Sequence, residues 1–209
     1  MEQMIRQELS GLDTAGLLRN VRQVSSPQGR AIILDGKHVL NFCSNDYLGL
    51  SADARLAEAA RQALLVYGVG SGASRLVSGN TTEHAALEAE IVALKKTEAA
   101  IVFNSGYAAN TGIISALMGR DDIVFSDRLN HASMVDGIIL SRARIVRYPH
   151  RDVAALEEAL AKSQGYSRKL IVTDTVFSMD GAMAPLADIA ALAKKHHAWL
   201  MVDEAHAFG

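Results

Sequence analysis

The feature that most constrains this chain is an alternation, over its second half, between short apolar runs and segments with helical signals. Each run is four to six residues long, which is the length of a buried strand. Between the runs, Asp152 is placed to cap one helix, and Pro185 stands where the first residue of another would lie. Strands alternating with helices predict an α/β fold whose mostly parallel sheet is flanked by helices. The predicted strands are residues 99–103, 122–125, 144–148, 169–174 and 199–203.

The first half of the chain carries different signals. Residues 3–22 have an amphipathic pattern and predict a helix. Asp35 and Gly36 separate two short apolar runs, as in a two-residue β-hairpin. The predicted organisation is therefore an N-terminal helix and hairpin segment, residues 1–50, followed by a larger α/β domain, residues 51–209.

The start of that larger domain is predicted to be helical and glycine-rich. Apolar residues between 56 and 67 fall on one helical face, and a glycine-rich loop follows over residues 68–80. Thr81 or Thr82 is placed to cap the next helix. The loop has two interpretations, a flexible turn and a functional loop.

Composition excludes several classes of protein. Hydrophobic residues make up 49% of the 209, and 21 Lys and Arg stand against 23 Asp and Glu. This predicts a globular protein, and the near-neutral charge gives no reason to expect binding to nucleic acid or to an anionic membrane. Cys43 is the single cysteine, so no disulfide can form within the chain. A reducing compartment fits this, and a cytoplasmic protein is expected.

Two stretches of the sequence bear on export and on membrane insertion. Residues 1–16 lack the continuous apolar core of a signal peptide, so none is expected. Residues 99–119 carry no charge and would be long enough to span a bilayer. Polar turn residues at Asn104 and Asn110 interrupt that stretch, so a strand, a turn and a helix are expected instead.

Polar residues follow several of the predicted strands. In parallel sheets, ligands bind beyond the carboxyl ends of the strands. Helix capping is the alternative explanation for any one of these residues, but several converging strand ends favour a site. Ser105, Gly106 and Tyr107 also begin a predicted helix, whose free amides are suited to binding phosphate. The polar strand ends are Asn104–Gly106, Ser126–Asp127, Thr173–Asp174 and Asp203–Glu204.

The segment Asp203-Glu204-Ala205-His206 has a rival interpretation, the Mg²⁺-binding motif of DEAH-type nucleotide-hydrolysing helicases. Such an enzyme also needs a phosphate-binding loop of the form G-x-x-x-x-G-K-[ST], which the sequence lacks. No histidine pair has the spacing of a zinc site, so no metal is expected. His131 and His206 stand out among the seven histidines because each lies just beyond a predicted strand.

Six ordered motifs together resemble the α-oxoamine synthase family of pyridoxal 5′-phosphate (PLP) enzymes, which share the fold of aspartate aminotransferase. The resemblance runs through most of the chain, and it implies a homodimer with a PLP-binding large domain. The glycine-rich loop, with Arg75 and Ser78, then lies near the active site at the dimer interface. The motifs are Asn41–Leu50, Gly70–Gly79, Ser105–Asn110, Asp127–Ser133, Val176–Gly181 and Val202–His206.

The resemblance implies roles for individual residues. Asp203 matches the carboxylate that faces the pyridine nitrogen of PLP, and His131 matches the residue stacked on its ring. Both are thereby implied to be catalytic. Arg19, Asn45 and His131 match substrate-binding positions, although Arg22 is near enough to be an alternative to Arg19. The implied cofactor-binding residues are Gly106, Tyr107, His131, Ser178, Asp203 and His206.

The implied activity is that of a PLP-dependent acyltransferase. Within the family, the motifs favour decarboxylative condensation of L-alanine with a pimeloyl thioester, carried by CoA or a carrier protein, in biotin biosynthesis. The family's Schiff-base lysine lies beyond the Asp-x-x-His motif, and no lysine here has an equivalent context. The chain is therefore expected to be the N-terminal part of a longer enzyme and to be inactive alone. The alternatives are another member, such as 2-amino-3-ketobutyrate CoA ligase, and a lysine-less non-catalytic subunit.

Overall fold

The structure, a computed structural model, describes residues 1–208. The chain forms two compact units, Met1–Gly70 and Ser71–Gly209. The predicted domain division at residue 50 stays a prediction. In chain order the elements are α1 (Glu2–Thr14), β1 (Ala31–Leu34), β2 (Lys37–Leu40), α2 (Ala54–Tyr67), α3 (Thr82–Lys95), α4 (Gly106–Leu117), β3 (Ile123–Asp127), α5 (Ala132–Ser141), β4 (Arg144–Tyr148), α6 (Val153–Ala161), β5 (Lys169–Asp174), α7 (Leu186–Lys195) and β6 (Trp199–Asp203).

The first unit contains a hairpin between two helices in the chain order. β1 and β2 pair antiparallel, and Asp35 and Gly36 occupy the turn with φ of 49° and 76°, as the sequence predicts. The predicted helix over residues 3–22 is too long, because α1 ends at Thr14. Gly16 follows with φ of 66°, and its N–H donates to the carbonyl of Asp13, so the helix closes there.

The second unit is built on a sheet of four parallel strands in the order β4-β3-β5-β6. The predicted parallel sheet is thereby confirmed. Helices α4 to α7 connect or precede its strands, and Asp152 caps α6 as predicted, accepting from the N–H of Ala155 at 2.9 Å. Pro185 is the N-cap of α7 and not its first residue, a difference of one position.

One predicted strand, residues 99–103, is wrong: within the described chain this segment belongs to no sheet. Its backbone is held by side chains instead of by a neighbouring strand. The N–H of Val102 donates to Glu88 Oε1 at 2.9 Å, and its carbonyl accepts from Arg75 Nη1 at 3.1 Å. An apolar run forms a strand only where another strand lies alongside it, and side chains take that place here.

Both faces of the sheet are covered by helices. On one face Phe125 and Ile171 pack with residues of α6 and α7, including Leu156 and Ile189. On the other face lie Val124 and Val172, whose cluster comprises Ile114, Met118, Val124, Met134, Ile138, Leu170 and Val172. Successive strand residues alternate between the two clusters, as a two-sided α/β sheet requires.

Helices α4 and α5 approach each other unusually closely. A Cβ on Gly137 of α5 would lie 2.9 Å from the carbonyl oxygen of Asn110 on α4. Only a glycine allows this approach without a shift of backbone. The close packing holds α4 and α5 together, and Asn110 of α4 donates to the hydroxyl of Ser133 near the start of α5. Among residues 1–208, no helix is both long and apolar enough to cross a membrane.

Candidate functional site

A cavity opens at the carboxyl ends of the parallel strands, the position at which such sheets bind ligands. All six residues predicted to bind the cofactor lie in its lining, together with four further residues, Asn110, Ser133, Asp174 and Ala205. The roles of the six stay predictions, but the fold brings them together from positions up to 100 residues apart. The full lining is Gly106, Tyr107, Asn110, His131, Ser133, Asp174, Ser178, Asp203, Ala205 and His206.

The first turn of α4 forms one side of the cavity. Ser105 caps the helix, since its hydroxyl accepts from the N–H of Ala108 at 3.1 Å. The N–H groups of Gly106 and Tyr107 have no acceptor within the helix because they begin it. A Cβ on Gly106 would meet nothing within 4 Å, so a ligand can approach this backbone. An anion is the ligand favoured here.

The Tyr107 side chain is held away from its own helix. Its hydroxyl donates to Asp136 Oδ2 on α5 at 3.0 Å. This hydrogen bond to a carboxylate, with the negative charge of Asp136, raises the pKa of Tyr107. The phenol therefore stays protonated and acts as a donor at neutral pH.

His131 follows β3 and begins α5. Its backbone N–H donates to Asp174 Oδ2 at 2.9 Å, and its Nδ1 lies 2.7 Å from the hydroxyl of Ser133. Burial raises the pKa of Asp174, and the neighbouring Asp203 carboxylate adds to this, while the hydrogen bond from His131 opposes it. His131 is thus fixed at both its backbone and its ring.

Asp203 ends β6 with both carboxylate oxygens hydrogen-bonded. Asn110 Nδ2 donates to Oδ2 at 2.8 Å, and the N–H of Ala205 donates to Oδ1 at 2.9 Å. Asn110 also donates to the hydroxyl of Ser133 at 2.9 Å. A chain of hydrogen bonds therefore links Asp203 to His131 across the floor of the cavity.

Two carboxylates stand side by side in this floor. Asp174 and Asp203 are register partners on β5 and β6. Their mutual repulsion falls when a cationic group lies between or beside them. The site therefore combines an anion-binding helix start with a floor that favours a positively charged or N–H-bearing group.

The sequence motifs imply no role for Asn110, Ser133 or Asp174. Asn110 and Ser133 nevertheless lie inside two of the six motifs, and Asp174 lies at a polar strand end, so the sequence does mark their positions. What the sequence could not show is that Asn110 reaches Asp203 over 93 positions. That contact joins α4 to the end of β6, two elements that are far apart in the sequence.

Arg19 and Asn45 belong to the unit Met1–Gly70, and their substrate-binding roles stay predictions. Arg22, the alternative to Arg19, pairs with Asp35 through its Nε at 2.8 Å. Arg19 forms no hydrogen bond or ion pair with any residue in the described range. The guanidinium of Arg22 is therefore engaged within this unit.

Lysines have no place in the cavity lining as far as the structure describes it. Lys95 at the end of α3 pairs with Glu204, next to Asp203, and its ammonium also lies 5.6 Å from the ring centre of Phe208. Between residues 1 and 208, no group of three His, Cys, Asp or Glu is arranged to hold a metal ion.

Comparison with known proteins places this chain in a family. The family model for aminotransferases of class I and II matches residues 37–209. An 8-amino-7-oxononanoate synthase from Geobacter sulfurreducens is 57% identical over 209 residues, which are 100% of this chain and 54% of that protein. The chain spans about half the length of the curated relatives it matches.

Two solved structures are similar to almost the whole of this chain. Serine palmitoyltransferase from Sphingomonas wittichii matches with a TM-score of 0.87 and 33% identity, over 96% of this chain and 50% of that one. The S. paucimobilis serine palmitoyltransferase, solved with a bound PLP–myriocin aldimine, matches with a TM-score of 0.88 and 32% identity, over 95% and 50% of the two chains.

Proposed function

The chain belongs to the aminotransferase class I and II family, and from this premise we propose that its cavity binds PLP for a PLP-dependent acyltransferase. The proposed reaction is the decarboxylative condensation of L-alanine with a pimeloyl thioester to 8-amino-7-oxononanoate, a step of biotin biosynthesis. The 57% identity to a protein named for that synthase supports this choice. The observation that carries it is the doubly hydrogen-bonded Asp203 in one cavity with the open start of α4.

The residues present fit PLP at both of its ends. The amides of Gly106 and Tyr107 suit the phosphate dianion, and the N-terminal dipole of α4 adds to the attraction. Asp203 suits the pyridine nitrogen, because a carboxylate held in place by Asn110 and by the N–H of Ala205 favours a proton on the nitrogen beside it. When bound, PLP supplies an electron sink for the bond broken at the amino acid.

The remaining steps fall to residues of this chain. Asp203 would hold a proton at the pyridine nitrogen. His131, fixed by Asp174 and Ser133, would cover one face of the ring and exclude water from it. Ser178 and His206 would orient the cofactor from the other lining positions. Arg19 and Asn45 would bind the substrate carboxylates, and Arg19 is favoured over Arg22 because Arg22 pairs with Asp35.

A second candidate is a lysine-less, PLP-binding chain without catalysis. The observation that favours it is that the described cavity lining contains no lysine. For the synthase, by contrast, the amine that forms the Schiff base has to come from a residue outside this sequence.

We further propose that the enzyme works as a homodimer in the cytoplasm. The exposed apolar face of α1, with Met4, Ile5 and Leu9, supports the dimer, because an exposed apolar face favours a protein partner.

The experiment uses the intact native protein that contains these residues. It is titrated with PLP by absorbance, reduced with borohydride, and weighed as intact protein. It is then supplied with L-alanine and a pimeloyl thioester, and 8-amino-7-oxononanoate is quantified. Asp203→Asn should lower the turnover on the order of a hundred-fold, because the carboxylate no longer stabilises the charge that develops on the ring. Asp188→Asn, at an exposed position on α7, is the matched control and should match the parent.

A reduced PLP adduct with product formation supports the synthase. An adduct with turnover of glycine or serine in place of L-alanine would replace this assignment with another α-oxoamine synthase. PLP binding without an adduct or turnover favours the non-catalytic chain. Absence of PLP binding would end all three interpretations.

A further inference from the structure

A cluster of four side chains lies outside the cavity lining, next in sequence to one of the lining residues, Ser178. His150 stands at its centre, two residues beyond β4. Asp127 at the end of β3 lies on one side, and Phe177 and Asp180 lie on the other. The latter two flank Ser178, which does line the cavity. The cluster therefore connects the sheet with the segment that carries a proposed cofactor-binding residue.

Contacts on the sheet side define which ring nitrogen of His150 carries a proton. Its Nδ1 lies 3.0 Å from Asp127 Oδ1, and the Asp127 side chain is only 2% exposed. Asp127 also accepts from the backbone N–H groups of Leu129 and Arg151, each at 2.8 Å. The Asp127 carboxylate accepts hydrogen bonds and has none to donate, so its contact with His150 requires a proton on the ring nitrogen. Nδ1 is therefore the protonated nitrogen of His150.

On the opposite side, His150 meets the segment that carries Ser178. The ring packs edge-on against Phe177, with 4.4 Å between ring centroids and an interplanar angle of 86°. Phe177 is buried, at 2% exposure. The Nε2 atom of His150 is buried and faces Asp180 Oδ2 at 3.7 Å, without a hydrogen bond to any described residue. The imidazole thus lies between two carboxylates and one ring.

The segment around Ser178 is itself a closed turn. The N–H of Phe177 donates to the carbonyl of Ala182, and that of Gly181 donates to the carbonyl of Phe177, both at 2.9 Å. Ala182 also donates to Asp180 Oδ1 at 3.1 Å. Because these bonds close the turn on both sides of Ser178, a displacement of Phe177 or Asp180 would move Ser178 with it.

We propose that His150 is a positioning residue: tied to the sheet through Asp127, it holds the turn of Phe177 and Asp180 and so fixes Ser178 at the cavity. The imidazole suits this place because one planar group supplies both a donor to Asp127 and a ring edge for Phe177. This inference rests on the proposed function in one respect, namely that Ser178 contacts PLP.

The test separates the two parts of the imidazole in the intact native protein. His150→Asn keeps a donor for Asp127 but loses the ring, and His150→Phe keeps a ring but loses the donor. His38→Asn, at an exposed position on β2, is the matched control. Each variant is made in the parent and in a Ser178→Ala background, and PLP affinity is measured in all of them. Amide hydrogen exchange of residues 175–184 is followed without PLP.

In the parent background, both His150 variants should weaken PLP binding roughly five-fold, the effect of one misplaced hydrogen bond. In the Ser178→Ala background the same substitutions should have almost no further effect, because His150 acts through Ser178. The turn should exchange about ten-fold faster in both His150 variants, with α4 unchanged and with His38→Asn equal to the parent.

Equal losses of affinity in both backgrounds would show that His150 has only a general structural role and would overturn the inference. Unchanged amide exchange of residues 175–184 in the His150 variants would overturn the inference as well, whether or not the protein binds PLP. Failure of the parent to bind PLP would instead overturn the proposed function. Faster exchange of the turn would then still support the mechanical link from His150 to Ser178.

Discussion

Residues 1–103 and residues 104–208 bury their side chains very differently. In the first stretch Ile32 and Gly79 alone are buried, and helices α1, α2 and α3 contain no buried residue. In the second stretch the sheet is packed on both faces by two clusters of buried side chains. An amphipathic pattern is therefore enough to form a helix, but burial of its apolar face requires a partner surface, which strand pairing supplies for α4 to α7.

Phe125 and Phe42 provide the strongest test of this comparison. Phe125 on β3 is fully buried, whereas Phe42 is 90% exposed. Phe125→Ala should lower the free energy of unfolding by about 3–5 kcal/mol, because the substitution leaves a cavity in a packed core. Phe42→Ala should change it by less than about 0.5 kcal/mol. Chemical denaturation of the native protein measures both.

Similar losses for the two phenylalanines would break the comparison. That result would mean that Phe42 is packed against a partner surface in the native protein. Residues 1–103 would then be exposed only when this chain is considered by itself.

The sequence predicts the secondary structure well in the region of the parallel sheet and less well in residues 1–103. The structure confirms four of the five predicted strands, the hairpin and the cap of α6. Their signals are local in the sequence, namely short apolar runs between helical segments, the pair Asp35-Gly36, and Asp152. The strand at 99–103 was wrong because strand formation depends on a neighbour that no local pattern reveals. The helix from residue 3 was too long because the turn at Gly16 outweighs the apolar periodicity beyond it.

The same distinction applies to the candidate site. The motifs predicted six residues that do converge in one cavity, although their roles remain proposals. They gave no role to Asn110 or Asp174, and His150 had no predicted partner. The contacts of these three residues join positions that are 23 to 93 residues apart, as in His150 with Asp127 and Asn110 with Asp203. Such contacts follow from the register of parallel strands and the close packing of α4 with α5, which one sequence does not specify.

Gly79 sharpens the comparison, because it is one of the two buried residues before residue 104. A Cβ there would lie 1.9 Å from the carbonyl oxygen of Ala73, in a turn closed by a hydrogen bond from the Gly79 N–H to the carbonyl of Ser74. Gly79→Ala should therefore destabilise the protein by about 1–3 kcal/mol, since backbone must move to admit the methyl group.

Gly70→Ala is the matched control, since a Cβ at that position meets nothing within 4 Å. It should be neutral or slightly stabilising, because alanine restricts the unfolded chain. Thermal unfolding of both variants decides between the two outcomes. A neutral Gly79→Ala would show that the glycine-rich loop is not held in this closed turn.

Two ion pairs, one from each region, give the smallest expected effect. Burial opposes ionisation of Asp122, but Arg168 and the N–H of Gly119 donate to it and together hold its pKa below the ordinary value. In the other region the pKa of Asp35 is also lowered, first by the N–H of Gln23 and then by Arg22, but its side chain is 46% exposed against 2% for Asp122. Solvent screens the exposed pair more strongly.

A lowered pKa in the folded state stabilises the protein at pH values above the unfolded pKa of about 3.9, and this contribution disappears as the pH falls through the folded pKa. Asp122→Asn should therefore reduce stability by about 1 kcal/mol at pH 7, with the difference from the parent shrinking below about pH 4. Asp35→Asn should have a clearly smaller effect across the same range. Denaturation curves from pH 3 to pH 7 measure both differences, and a pH-independent loss at Asp122 would assign its role to packing alone. A larger loss of stability for Asp35→Asn than for Asp122→Asn would contradict the contrast between the two regions, because the exposed ion pair would then contribute more to stability than the buried one.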